Sequence, residues 1–331
     1  MFKRAAGLGL DIGSKKIKLV QVKQTKGGLQ VVTYGSLATP YGAVETGNIL
    51  EVEQVGETLA ALVDKLNLQG KRVISAVSGP QVYTRNLIMP RMKLKELKAA
   101  VTYEATTFLP IPVAQAAIDV FPLRSFEDGE GKKVEIFFVA VRRQQVENLH
   151  KVCRIARLKL VTVEIEPLAL NRVLQEDYKA ETKAYLYIGA ARSYFSVFCN
   201  QVLIYHRYLA CGSSAFYPGG TFEEPSDLKP RENSNNEKHN LFTKDIIAEV
   251  SRSTQYYILE NDDRIEEILL CGGGAKLEGL AEAIATKTNC QVKVADVLKR
   301  FILPGGANGS DKHALDHDFL VALGLASRGF I

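Results

Sequence analysis

Apolar and polar positions alternate in short runs at the start of the chain and later switch to a three-to-four spacing, so strands and helices separate by period. "GLGLDIG" and "KIKLVQVKQ" read as two strands around a tight turn, and "LQVVTYGSL" as a third. Residues 53–66 place Val55, Leu59, Leu62, Val63 and Leu66 on one helical face. Strands "RVISAVSG" (72–79) and "VYTRNLIMP" (82–90) follow. A helix over 93–109 then buries Leu94, Leu97, Val101, Ala105 and Phe108, and Pro110 and Pro112 end it. Strands "AIDVFPL" and "VEIFFVAV", a helix over 143–157 and strand "LVTVEIE" complete a β-β-α-β-β-α-β block. This block, residues 72–165, reads as a subdomain inserted into a first lobe made of residues 1–71 and 166–182.

A second lobe, residues 183–331, opens in the same way, with "KAYLYIGA" and "SYFSVFC" around another glycine turn and "VLIYHRYL" as a third strand. Residues 216–243 are polar, proline-bearing and without apolar period, so the region 211–243 is expected to be a mobile surface loop. A helix over 244–260, strand "EEILLC", turn "GGGAKL", helix "EGLAEAIATKT", strand "CQVKVAD" and a closing helix in "DHDFLVALGLASRGF" follow. The whole reads as α/β.

The two openings align: "LDIGSKKIKLVQV" over "LYIGAARSYFSVF" matches Ile12 to Ile188, Gly13 to Gly189 and Asp11 to Tyr187. Two strand–glycine-turn–strand hairpins facing each other across a cleft make a clamp for polyphosphate. Turn N–H groups point at the anion, and glycine lets the backbone approach closely. A carboxylate at a strand end, here Asp11, would hold Mg²⁺ through water, because magnesium keeps much of its hydration shell. Strand, Gly272-Gly273-Gly274 and helix would supply a flat surface for a purine.

Composition removes other classes. The net charge of +5 comes from 42 basic against 37 acidic residues without a dense basic block, which leaves nucleic-acid binding little support. The five cysteines are widely spaced with no CxxC, against a disulfide framework or zinc site, and fit a reducing compartment. The apolar run at the N-terminus is interrupted too early for a signal peptide, and no stretch approaches the ~18–20 apolar residues of a membrane span. The expectation is a cytoplasmic protein attached to a membrane only through a partner. "GLGLDIG" lacks the GxGxxG spacing and runs into a strand, so a dinucleotide site is a poor reading. His313 and His317 stand four apart but lack a third soft ligand nearby, and read as a solvated helix start. Cys271 has no histidine near in sequence and reads as a small buried residue.

The layout resembles the actin-like (RNase H-like) ATPase superfamily, and more narrowly the PilM family of type IV pilus assembly proteins, relatives of FtsA. The resemblance rests on "GLDIGSKKIKLVQV", on "VSGPQVYTRNLIMPRMKLKELKAAVTYEATTFLPIPV" as an FtsA-type inserted subdomain, and on "VTVEIEPLALNRVL", "ILLCGGGAKLEGL" and "FLVALGLASRGF". It implies a two-lobed fold and an ATP/Mg site in which Asp11 faces the metal. Gly13, Ser14 and Lys15 would contact phosphate through the backbone, and Lys18 would reach it from the second strand. Gly189 and Ala190 would form the second phosphate turn, Gly272 to Gly274 the adenosine turn, and Glu166 would orient the attacking water. The alternative for Glu166 is a carboxylate favoured by a helix N-terminus.

The chain departs from its relatives at Tyr187, where they carry Asp, and in "CGSSAFYPGG…", which has no counterpart of their ribose-side helix. The expectation is therefore a degenerate nucleotide site on a scaffold. That scaffold would dock the short cytoplasmic N-terminal peptide of a PilN-like inner-membrane partner in the groove between the first lobe and the insert. A small-molecule kinase or active ATPase of the same superfamily is the competing class, and it would need an Asp base and an intact clamp.

Overall fold

The computed structural model describes residues 6–174, 181–213, 235–304, 315 and 317–330. Strands β1 (Gly7–Ile12), β2 (Lys16–Thr25) and β3 (Gly28–Ala38) form a meander, followed by the small pair β4 (Val44–Glu45) and β5 (Asn48–Ile49) and by α1 (Val52–Lys65). Next come β6 (Arg72–Val77), β7 (Val82–Pro90), α2 (Leu94–Phe108), β8 (Ala116–Asp128), β9 (Gly131–Arg142), α3 (Arg143–Ile155), β10 (Lys159–Ile165) and α4 (Glu166–Leu174). A second meander, β11 (Thr182–Ile188), β12 (Ser193–Cys199) and β13 (Val202–Leu209), leads to α5 (Asn235–Asn261) and β14 (Glu267–Cys271). Helix α6 (Leu280–Thr288), β15 (Gln291–Val294), β16 (Phe301–Ile302) and α7 (Leu320–Ala326) complete the order.

The two large sheets share one plan. The first runs β10-β6-β1-β2-β3-β16 and the second β13-β12-β11-β14-β15. In each, an antiparallel meander adds parallel strands on the outer side of its first strand: β6 and β10 beside β1, β14 and β15 beside β11. Alternation along β11 shows why the second sheet is buried on both faces. Tyr185 belongs to the core shared with the first sheet, while Ala184, Leu186 and Ile188 face the cluster that includes Ile246 and Val250 of α5 and Ile284 of α6. Tyr194, Phe198, Leu203 and Leu269 also enter the shared core, so the two lobes are joined by one apolar base.

Three expectations change. Residues 72–165 are not one block: β6 and β10 are parallel strands of the first large sheet, and α3 packs on α1. The separate unit is the three-stranded sheet β7-β9-β8 with α2, which has its own core of Leu97, Val101, Ala105, Ile136 and Phe138. Period alone identifies a strand but not the sheet it joins. On α2, Glu96 accepts the N–H of Lys93 at 3.1 Å and fixes the helix start. Leu94, expected on the buried stripe, is 52% exposed.

The end of the chain returns from the second lobe to the first. Phe301 pairs with Leu29, and α7 lies across β1 and α4. A methyl group on Gly9 would sit 2.1 Å from the Ala322 carbonyl oxygen, so the glycines early in "GLGLDIG" serve this close helix–strand contact.

Thirdly, α5 begins at Asn235 rather than 244. The expected loop 211–243 is therefore helical at its end. At its start, Ser213 is bonded to Gly189, and residues 214–234 lie outside the described residues.

Candidate functional site

The two glycine hairpins close their turns alike. Gly13 N donates to Lys16 O at 3.0 Å, and Gly189 N donates to Arg192 O at 2.9 Å. A hydroxyl residue buttresses each. Thr39 Oγ1 donates to Gly13 O at 2.7 Å, and Ser213 donates to Gly189 O through its N–H at 2.9 Å and its Oγ at 3.2 Å. Register then decides which side chains face each other across the hairpin. Asp11 lies opposite Lys18 in the first and Tyr187 opposite Tyr194 in the second.

Those two pairs differ in chemistry. Lys18 Nζ donates to Asp11 Oδ2 at 2.9 Å, and both groups are buried. Burial pulls the Lys18 ammonium down, but the Asp11 carboxylate outweighs it, and the pKa stands above the ordinary lysine value. In the second hairpin the rings of Tyr187 and Tyr194 stack at 4.8 Å. Burial raises the Tyr187 phenol well above its usual range, so it stays neutral beside Asp11 and Glu166.

Glu166, at the first turn of α4, is buried and meets Arg192 from the second hairpin at 2.6 Å. The same guanidinium donates to Ser78, just past β6. Burial raises the Glu166 pKa and the Arg192 charge opposes this without cancelling it. Glu166 Oε2 makes no hydrogen bond, nor does the Tyr194 hydroxyl. Lys15 is exposed, whereas Lys16 pairs with Asp318 at 3.2 Å. Ser14 is half-buried in the same turn, and Thr39 N donates to Lys15 O at 2.9 Å.

The third turn is packed from one side. Gly274 N donates to Ile188 O at 3.0 Å, and a methyl group on Gly274 would lie 2.3 Å from the Ile188 side chain. One on Gly272 would lie 2.6 Å from Ile188 O and 3.0 Å from the Tyr187 ring. One on Gly212 would lie 2.3 Å from Ala190 O and 2.5 Å from Arg192 N, so Gly212 packs directly on the turn of the second hairpin. Thus Asp11, Lys18, Glu166, Gly189, Ala190 and Gly272 to Gly274 do converge, but largely on one another.

Sequence reasoning missed Arg192, Ser78 and Asp318. The repeat alignment contained a signal for Arg192, since it places Arg192 opposite Lys16. Nothing local could show that Asp318 approaches Lys16 or that Ser78 approaches Arg192. Among the described residues no cluster of three or more His, Cys, Asp or Glu groups is placed to hold a metal. His317 is buried rather than solvated, and His313 lies outside the described residues. Cys271 is buried, with its thiol against Leu186 O at 3.6 Å.

A second opening, a cavity of about 290 Å³, lies where β7 and the end of α2 meet β13. Val82, Tyr83, Arg85, Phe108, Leu109 and His206 line it. The Arg85 guanidinium sits over the Phe108 ring at 4.8 Å, and Asn86 donates to Leu203 O at 3.2 Å nearby. His206 Nδ1 lies 2.9 Å from Ser196 Oγ, and burial pushes its pKa down to about 4.

Two sheets of one plan, each opening on a glycine hairpin and joined through one apolar base, define a protein of the actin-like two-lobed fold. The chain belongs to the family described as type IV pilus assembly protein PilM, whose model matches residues 9–330. Among solved structures it is similar to a PilM-PilN type IV pilus biogenesis complex, at 23% identity and a TM-score of 0.82, covering 99% of this chain and 98% of that one. It is also similar to the ethanolamine utilization protein EutJ from Carboxydothermus hydrogenoformans, at 16% identity and a TM-score of 0.53, covering 98% and 90%. Among the described residues, no helix is long and apolar enough to cross a membrane.

Proposed function

We propose that this protein is a cytoplasmic scaffold of the type IV pilus assembly machinery, with a nucleotide cleft that has lost its chemistry. One observation carries the reading: the charged groups of the cleft are consumed in internal pairs. Asp11 is held by Lys18, Glu166 by Arg192 and Lys16 by Asp318. A magnesium nucleotide needs carboxylates free to order metal-bound water and donors free to meet phosphate. These residues do not fit it. Tyr187 is neutral where relatives carry an acid, and Gly212 covers the backbone of the second turn. ATP binding is therefore weak or absent, and the protein acts without turnover.

Its work is then docking. The partner is the short N-terminal cytoplasmic peptide of a PilN-like membrane protein, which would bring this chain to the inner membrane indirectly. The insert of β7-β9-β8 and α2 suits that role. It has a core of its own, and a cavity at its base mixes aromatic rings with a guanidinium. An extended peptide gains affinity in such a place from strand-edge hydrogen bonds and a few side-chain pockets. The test replaces residues 82–142 with a short Gly/Ser linker, which is closable because Val82 pairs directly with Val141. Binding of the fluorescent partner peptide should be lost while the two large sheets stay folded. Retained binding places the interface elsewhere.

A further inference from the structure

We infer that Arg192 is an internal lock, tying the second hairpin to the first lobe and holding the cleft closed without any nucleotide. In open α/β sheets a ligand sits in the crevice outside the carboxyl ends of the parallel strands. Here those ends belong to β6, which runs into Ser78, and β10, which runs into Glu166. The Arg192 guanidinium reaches both from the other lobe, donating to Ser78 Oγ and to Glu166 Oε1, the latter at 2.6 Å. It thus occupies the crevice itself. Its own carbonyl oxygen accepts the Gly189 N–H, so the same residue closes the hairpin turn and spans the cleft.

Electrostatics gives the lock its direction. Glu166 is buried near the Asp11 carboxylate, and Lys18 is already committed to Asp11. Drawing the hairpin away would leave Glu166 buried beside a like charge with no counter-cation, which is among the costlier events in a protein interior. The base of the two lobes is welded by Tyr185, Phe198 and Leu203, and Tyr185 donates to Asn171 of α4 at 2.8 Å. The freedom that remains for Arg192 to remove is therefore local, at the hairpin tips and the ends of β6 and β10.

This inference rests on the reading that the cleft does not take a magnesium nucleotide, and one experiment separates the two. Hydrogen exchange is followed by mass spectrometry on the full chain, as wild type, Arg192→Met, Arg192→Lys and Glu166→Gln, each with and without Mg-ATP. In Arg192→Met, exchange should rise about tenfold over residues 13–16, 164–168 and 189–192, with α2 unchanged, as expected of a local opening. Arg192→Lys keeps the charge and its donors but on a shorter side chain without the planar guanidinium, and should give a smaller rise in the same segments; it also serves if the Met variant fails to fold. Glu166→Gln should resemble Arg192→Lys. Unchanged exchange in both Arg192 variants overturns the lock while leaving the docking reading intact. A rise that extends equally over α2 also overturns it, because that is general destabilisation. Protection of the wild-type turns by Mg-ATP overturns the lock together with the empty-cleft reading.

Discussion

The two hairpins have one backbone and two chemistries. In each, a glycine N–H closes the turn, a hydroxyl residue from the third strand's end or beyond braces it, and the facing pair sits at the same register. The first hairpin spends that pair on a buried ion pair, Asp11 and Lys18, and the second on two stacked tyrosines. One hairpin geometry can therefore carry a charged facing pair in one lobe and a neutral one in the other. The sites diverge in side chains that the backbone does not constrain, and those side chains decide whether an anion or a metal has anything to meet.

The largest expected break in the comparison is Lys18→Met. It leaves the buried Asp11 carboxylate unpaired, and removal of one partner from such a pair costs about 3–5 kcal/mol. Denaturant unfolding should show that loss. A loss below about 1 kcal/mol would mean that Asp11 finds another cation.

Next come the turn glycines. A methyl group at Gly189 would lie 2.8 Å from Arg192 O and 3.0 Å from the Tyr187 ring, whereas at Gly13 its nearest neighbour is Lys16 O at 3.2 Å. Gly189→Ala should cost about 1–3 kcal/mol, as overpacking does, and Gly13→Ala clearly less. The reverse order would remove the tight contact between Tyr187 and the second turn from the account.

His206 touches the second hairpin through the Tyr194 ring edge at 5.5 Å. Its folded pKa is depressed from 6.5 to about 4, so the unfolded chain binds more protons between those values. Stability must then fall as pH drops through that window, by at most about 1.4 kcal/mol per pH unit. Comparing wild type with His206→Asn isolates this slope from carboxylate effects. Equal slopes in the two proteins would show that His206 is not held neutral. The smallest effect is expected for Tyr194→Phe. Its hydroxyl is buried without a partner, so losing it should change stability by less than about 1 kcal/mol, and in the favourable direction.

Much of this was legible because it is local. Alternation gave the strands of both meanders, the three-to-four spacing gave α1, and the repeat placed Tyr187 where Asp11 stands in the first half. The resemblance makes Lys18 a phosphate ligand, although the hairpin register that pairs it with Asp11 follows from a tight turn. Other features were not local. That β6 and β10 join the first sheet depends on crossovers through distant segments. Lys16 and Asp318 lie at opposite ends of the chain and meet only because α7 returns to β1. Arg192 carries no local signal beyond its alignment with Lys16, and only the arrival of Ser78 and Glu166 from another sheet gives it a role.

Nucleotide tests most directly whether the charges of Asp11, Lys18, Glu166 and Arg192 are taken up internally. Isothermal calorimetry with Mg-ATP, followed by a steady-state phosphate-release assay, should show weak or no binding and no turnover above background. Each ~1.4 kcal/mol of lost transition-state stabilisation is tenfold in rate, so a cleft lacking its second carboxylate has little left to detect. Turnover well above background that disappears in Asp11→Ala would show a working site and contradict the account.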